Sequence, residues 1–470
     1  MRRRPKISSP RALTGVAATA VAVLGVGTAQ VPAQDVGTPE SRIAAAAANV
    51  ACDKVGAKTG SDSAGGTLGD PYRTPQKLVD SLSAGQTGCL REGIYAETTN
   101  VRIGDGGKSS SPITLRGYPG ERGEIVAQVV VAEAANHVKL TDLVINGEGA
   151  PPCNRNAAPE CAPALMPTLL VNGDDVVISR SEITNHNTAI CINAGTNTAE
   201  RAVRLTIRAN RIHHCGLVNP RTNHHHGVYL GRTNDVEVID NWIYANADRG
   251  VQFYPEANGS YVARNVIDGN GAGVAISGAS GVASNDNLVE HNLITNSVTW
   301  NVYSWYPEGN QVGKGNLVRE NCVHGGRLGN IQQPTDGIEG FTAHNNLLVD
   351  PQYVDRSAAN FNLRPGGPCR RLLRSFGFGK AKKNKRKGTA KLRVKVPGSG
   401  AVKLARTTRV KGAEKRAKEK GKAKLSVRAR RKAKRKLNRT GRAKVRARVT
   451  YTPDGGEPTT RSRKVKLVKR

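Results

Sequence analysis

The sequence predicts an all-β protein: a right-handed parallel β-helix, a single-stranded solenoid, over residues 52–369, with a small β-sandwich at its C-terminal end. Three observations carry this. An asparagine phrase recurs every 24 to 31 residues along the body. A short alternating strand phrase recurs in step with it. The composition, 4% aromatic with 52 glycines, favours many short strands and turns over an aromatic-packed α/β core.

The asparagine phrase runs Arg208-Ala-Asn210-Arg-Ile212, Ile239-Asp-Asn241-Trp-Ile243, Ala263-Arg-Asn265-Val-Ile267, Glu290-His-Asn292-Leu-Ile294, Glu320-Asn321-Cys-Val323 and Asn345-Asn346-Leu-Leu348. Its asparagines are spaced by 31, 24, 27, 29 and 25 residues, and Ser181 stands 29 before Asn210 in a matching phrase. Such a period with short strands means one coil per repeat. Stacked strands set equivalent side chains about 4.8 Å apart, and an amide carries both donors and acceptors. A column of inward asparagines can therefore satisfy itself and the bend backbone of every coil.

The second phrase is Ala189-Ile-Cys-Ile192, Gly227-Val-Tyr-Leu230, Gly250-Val-Gln-Phe253, Gly273-Val-Ala-Ile276 and, more loosely, Asn301-Val-Tyr-Ser304. Each is a short strand after a polar turn, and no helical period fits. With Val228, Val251, Val274 and Val302 inward, their neighbours face out. One expected outward column is Cys191, Tyr229, Gln252, Ala275 and Tyr303. The next is Asn193, Gly231, Tyr254, Ser277 and Trp305. The column before the strand holds His226, Arg249, Ala272 and Trp300.

The ends are also legible. Thr74-Pro75 reads as a helix cap followed by proline in the first turn, with Leu78, Val79 and Leu82 on one face and Gly85 as the stop. Such a helix would cover the open first coil. Asp350–Val354 and Phe361–Pro365 are expected to close the far end of the stack. Residues 1–33 read as an export signal: Arg2, Arg3, Arg4 and Lys6, then an apolar run from Leu13 to Val26, then small residues. That run is short for a membrane span, and no other long apolar stretch follows, so no transmembrane segment is expected. Residues 34–51 form a linker. Eight cysteines without CxxC spacing suit disulfides in an exported protein rather than a zinc site. Many pairings stay open; the expectation is sequential pairing, with Cys52–Cys89 at one end of the body and Cys322–Cys369 at the other.

Charge divides the chain. Residues 370–470 hold 40 Lys and Arg against 4 Asp and Glu, a net of +36. Residues 34–369 hold 26 against 33, a net of −7. The two regions should meet different partners. Residues 370–389 read as a basic linker and 390–470 as a basic β-sandwich: Ala390, Leu392, Val394 and Val396 alternate with cations, as do Ala423, Leu425 and Val427, and then Ala443 to Tyr451 before a turn at Pro453–Gly456. Nucleic acid is the obvious partner of such charge. Yet beyond Phe378 the tail has a single Tyr and no Trp, so base-stacking platforms are missing. An acidic polysaccharide or an anionic wall polymer fits better, on a secreted, wall-associated monomer.

Gly60-Ser-Asp-Ser63, Thr67-Leu-Gly-Asp-Pro71 and Leu90-Arg-Glu-Gly-Ile-Tyr95 resemble the opening segment of β-helix polysaccharide lyases. The coils resemble the secreted parallel β-helix repeat proteins of the pectin-lyase-like superfamily, over about residues 52–369. The tail resembles basic immunoglobulin-like domains of some exported actinobacterial proteins. The resemblance implies the fold. It leaves the activity open among lyases, hydrolases, epimerases and non-catalytic proteins, and it brings calcium in as a possible cofactor.

Chemistry on a uronate needs a cation for the carboxylate, a base for the C5 proton and an acid for the leaving oxygen. Arg249 is the candidate cation, His226 the base, and Tyr229, or else Tyr254, the acid. Gln252, Tyr254, Tyr303 and Trp305 are candidate sugar contacts, since rings cover C–H faces and amides reach hydroxyls. The competing reading has Arg249 paired with Asp248 or another surface carboxylate, and His226 as a turn residue. Asp174-Asp175 is the adjacent acidic pair of the coils and could serve a hydrolase, but its place before a strand suits a turn. His213, His214, His224, His225 and His226 alternate sides, so they should not converge on one metal ion. The chain is expected to be an exported polysaccharide-binding or polysaccharide-processing protein, lyase-like if catalytic; the alternative is a non-catalytic glycan-binding surface protein.

Overall fold

The computed structural model describes residues 51–470 apart from 98, 150–166, 197–200, 219–223, 333–339, 374–375, 397, 419–420, 454–458 and 470. The expected export signal, nearly all of the linker after it, and Cys153 and Cys161 lie outside the described residues.

Each coil gives one strand to each of three parallel sheets. One coil runs Thr206–Arg208 (sheet 1), Arg211–His213 (sheet 2) and Val228–Asn234 (sheet 3). The next repeats this with Glu237–Ile239, Trp242–Tyr244 and Arg249–Asn258. Among the described residues, sheets 1 and 3 have eleven strands and sheet 2 has nine. Alternation sends every second side chain inward, so like residues stack. Ile183, Ile212, Ile243, Ile267 and Ile294 form one dry column behind sheet 2. Val228, Val251, Val274 and Val302 form another behind sheet 3.

The asparagine column is present as expected, and it explains the bend between sheets 1 and 2. Asn210, Asn241, Asn265, Asn292 and Asn321 are fully buried. Each Nδ2 donates to the Oδ1 of the next coil's asparagine at 2.9–3.0 Å, ending on Asn346. Each Oδ1 also accepts the backbone N–H of the preceding coil's member, from Ser181 onward. The residue before each asparagine is left-handed: Ala209, Asp240, Arg264, His291 and Glu320 have φ of 57°, 61°, 58°, 63° and 54°. That conformation costs a non-glycine residue about 1–2 kcal/mol, which the ladder's bonds offset. Two further ladders stand at the other bends: Asn246 on Asn270 between sheets 2 and 3, and Asn287 on Asn316 at the entrance to sheet 1.

The first coil is covered as expected. Helix Pro75–Asp80 is capped by Thr74 Oγ1, which accepts the Lys77 N–H at 3.1 Å, and buries Leu78 and Val79. Leu78 packs tightly over Gly56 and Gly88, where an added Cβ would come within 3.3 and 3.1 Å of its side chain. The far end differs from expectation. The hairpin Tyr353–Asp355 and Asn360–Leu363 does not close the stack. It lies on the outer face of sheet 2, where Tyr353, Phe361 and Leu363 pack with Tyr244, Val266, Leu293 and Cys322. Arg356 Nε ties it to buried Asp268 at 2.7 Å, and Tyr353 OH meets Thr295 Oγ1 at 2.8 Å. The disulfides Cys52–Cys89, Cys191–Cys215 and Cys322–Cys369 follow the sequential pairing.

The tail is a β-sandwich. One antiparallel sheet holds Gly377–Asn384, Thr389–Val396 and Gly421–Val427. The other holds Gly400–Leu404, Ala413–Ala417, Arg442–Pro453 and Thr459–Val468. Leu392, Val394, Leu425, Val449, Tyr451 and Leu467 fill the space between them. Strand Gly377–Asn384 falls inside the stretch read as linker, and Phe376 is already in the core, so the sandwich starts there rather than at 390. The helix Arg431–Thr440, which buries Ala433 and Leu437, was not anticipated either.

Candidate functional site

The outer face of sheet 3 assembles the proposed residues from successive coils. Tyr229, Gln252, Ala275 and Tyr303 are register partners, so they form one outward column. The head of that column differs from expectation. Asn193 pairs with Tyr229, while Cys191 is buried and bonded to Cys215. The phrase at 189–192 is therefore offset by two residues, which keeps Ile192 inward and Asn193 outward but leaves Cys191 at the bend, turned into the core. Ser277 and Trp305 pair in the next column, beside Tyr254, and Arg249 pairs with Ala272 in the column before.

Within this face the rings run on from one coil to another. His226 stacks on Tyr229 with centroids 5.3 Å apart. Tyr229 lies 6.3 Å from Tyr254, and Tyr254 lies 6.2 Å from Trp305. Trp305 is half exposed, at 50%. Arg249 lies alongside: its Nε donates to Tyr303 OH at 2.6 Å, and its backbone N–H donates to His226 Nδ1 at 3.4 Å. Gln252 is buried; its Nε2 donates to Ser277 Oγ at 3.3 Å and its Oε1 has no hydrogen-bond partner. Asp248, the expected rival partner of Arg249, accepts the His225 N–H at 2.8 Å.

Burial sets the protonation states. Desolvation, helped by the Arg249 charge, drives the His226 imidazole well below 6.5, so it is neutral. With Nδ1 accepting a backbone N–H, its proton sits on Nε2. Burial, with a smaller effect of Tyr254, pushes the Tyr229 phenol above its usual value. Burial also raises Tyr303, against the opposing charge of Arg249. These phenols are proton donors at neutral pH, not bases.

The other candidates are committed elsewhere. Arg204 grips Asp175 through two bonds of 2.7 and 2.6 Å and reaches Asp174 at 3.3 Å. That bond holds the Asp175 carboxyl below its usual value. The histidines diverge. His213 stacks on Tyr244 and contacts Glu182 at 3.2 Å, on the outside of sheet 2. His225 Nδ1 accepts the Leu217 N–H.

Glu256 is held by Arg201 at 2.7 Å, and Asp248 Oδ2 accepts the His225 N–H. Among the described residues, the His/Asp/Glu group with ligand atoms within 4.8 Å of one another is Glu290, His291 and Glu320, at the bends of sheet 1. There Arg319 and Tyr261 already bind Glu290. Among the described residues of the sheet 3 face, no His, Asp and Glu side chains bring three ligand atoms together, so these residues do not fit a calcium ion. Sequence reasoning missed a groove of 840 Å³ over sheet 1, lined by Lys139, Arg180, Arg208, Thr114 and Thr206 among others. Its residues are gathered from several coils and form no motif.

Residues 168–347 match the family model for the right handed beta helix region. A stretch of 62 residues is 45% identical to pectate lyase PEL9 of Emericella nidulans, covering 13% of this chain and 15% of that protein. The solved pectate lyase Pel9A superposes with a TM-score of 0.46 at 12% identity, over 68% of this chain and 91% of that one. An alginate lyase from Paenibacillus gives 0.38 at 12% identity, over 57% and 97%. With its parallel sheets and its matched coils, the body of this chain folds as a right-handed parallel β-helix.

Proposed function

We propose that this chain is an exported protein that binds an acidic polysaccharide along the outer face of sheet 3 and cleaves it by lyase-like elimination. One observation carries the reading: the row His226, Tyr229, Tyr254, Trp305, flanked by Arg249, spans four successive coils on a single face, passing over Ser277 between Tyr254 and Trp305. Rings cover the C–H faces of sugars, and a guanidinium grips a carboxylate through two parallel hydrogen bonds. Tyr303, by taking Nε, fixes the plane of that guanidinium. Arg249 would neutralise the uronate, His226 would take the C5 proton on Nδ1 once that nitrogen gives up the Arg249 N–H, and Tyr229, kept protonated by burial, would deliver a proton to the leaving oxygen as the C4–O bond breaks. The stretch shared with a pectate lyase supports this class of substrate. The tail would hold the protein on an anionic envelope polymer by charge.

A second reading is favoured by the state of His226. Its Nδ1 is already engaged, and it is only 4% exposed. A face so arranged would bind the glycan without cleaving it.

The test is a screen of the purified protein on pectate, alginate and neutral glycans, following unsaturated-uronate absorbance and binding together. Absorbance that disappears in Tyr229→Phe supports the lyase. Binding without absorbance supports the second reading. In either case Arg249→Lys should weaken acidic glycans only, and Trp305→Ala should weaken acidic and neutral glycans alike. If neither change alters any binding that the intact chain shows, the face is not the site.

A further inference from the structure

The C-terminal sandwich holds a concavity of 360 Å³ lined by five cations and no acid. Lys380 comes from strand Gly377–Asn384, Arg393 and Lys395 from Thr389–Val396, Lys422 from Gly421–Val427, and Arg463 from Thr459–Val468 of the other sheet. Arg463 is fixed in advance: its Nη1 donates to Phe378 O and Gly379 O, each at 2.9 Å. Glycine keeps the floor open. A Cβ at Gly379 would come within 3.2 Å of Arg393 Cβ.

This arrangement opposes the stability of its own sheet. Lys395 stands directly across from Lys422, and Arg393 from Lys424. Like charges facing each other across strands destabilise the pair, and the tail has 4 acidic residues to set against 40 basic ones. An anion seated among the cations would offset that repulsion. The geometry selects among anions. A carboxylate has two oxygens in one plane, which a single arginine fork satisfies. Cations arriving from four strands and two sheets suit a group whose oxygens point several ways, as those of phosphate do.

We propose that this concavity binds the phosphate groups of a linear anionic polymer. The inference rests on the reading that the tail holds the protein on a polyanion, and it names the site and the chemistry. The experiment uses the full chain, with inorganic polyphosphate as probe and poly-glutamate of matched charge, a carboxylate polymer without sugar rings, as comparator. Lys395→Glu with Lys422→Glu reverses the groove. Lys444→Glu with Lys466→Glu reverses an equally opposed pair on the other sheet and changes the net charge by the same amount. The groove variant should bind polyphosphate about tenfold more weakly or worse, and the control should change little. Lys395→Gln with Lys422→Gln, which only removes the repulsion, should fold at least as stably and still lose affinity. Polyphosphate should raise the melting temperature of the intact chain more than poly-glutamate does. Equal losses in the two reversed variants, or equal binding of the two polymers, would overturn the phosphate site and leave a diffuse polycation. If the intact chain binds neither polymer, the polyanion reading of the tail fails as well.

Discussion

Replacing Asn265 with leucine should cost the body of the protein about 2–6 kcal/mol. The figure follows from what the amide does. Asn265 Oδ1 accepts two donors from Asn241, the backbone N–H and Nδ2, both at 2.9 Å. Its own Nδ2 donates to Val238 O and Asn292 Oδ1, both at 2.9 Å. Leucine strands the two donors where no water reaches, at about 1–3 kcal/mol each. The two acceptors lose one bond apiece, and Asn292 Oδ1 keeps the backbone N–H of residue 265. Asn346→Leu is the internal control. It removes two acceptor bonds of 3.0 Å from Asn321 and one donor bond to Val318 O, but Asn346 is partly exposed at the end of the ladder, so water entering beside the shortened column can replace them and the loss should stay under about 1 kcal/mol. Urea unfolding followed by circular dichroism reads the difference as a shift in midpoint. Equal costs for the two variants, or a cost below about 0.5 kcal/mol for Asn265→Leu, would refute the ladder as a source of stability.

Three more outcomes are expected. Ala209→Gly should stabilise by about 0.5–1 kcal/mol, because φ of 57° strains alanine and not glycine; destabilisation in the same urea assay would count against the strained bend. Burial holds His226 below 6.5, and His225 and His214 are lowered for the same reason, so unfolding takes up protons under that pH. The stability gained by keeping the rings neutral is complete above about pH 6.5 and drains as pH falls toward the folded values, by up to about 1.4 kcal/mol per pH unit for His226. His226→Gln should flatten the urea midpoint between pH 7 and 5.5, and an unchanged slope would sink the assignment. Deleting residues 376–470 should release the protein from its cell envelope, as should salt acting by screening; a truncated form still bound at high salt would contradict electrostatic anchoring.

The coils were legible because the Asn210 column repeats one chemical need at one spacing. The ladders Asn246–Asn270 and Asn287–Asn316 stand five residues after and five residues before members of that column, and could have been found the same way. Register was less secure. Ile190-Cys191-Ile192 presents the same alternation after a slip of two, so pattern alone cannot choose between Cys191 and Asn193 as the partner of Tyr229. The aromatic alternation of Tyr353 and Phe361 announces an apolar face without saying which surface it will cover. Strand Gly377–Asn384 was hidden by charge, since lysines at 380, 382 and 383 read as a solvated linker. The site was legible as a column of residue types. The engagement of His226 Nδ1 was not, because it comes from a backbone N–H of the next coil.

A stack of coils that touch only their neighbours unfolds like a chain of weakly coupled units, and it can fray from its open end. The strap formed by Tyr353–Leu363 changes that. It rests on four successive coils at once, through Tyr244, Val266, Leu293 and Cys322, and is fastened by Asp268 and by the disulfide Cys322–Cys369. No coil under it can peel away without first lifting a surface shared with the other three. The strap thus turns a local, sequential process into one cooperative step. Amide protons in the sheet 2 strands from Trp242 to His324 should then exchange through a common opening, with a single free energy, rather than in a gradient toward the C-terminal end.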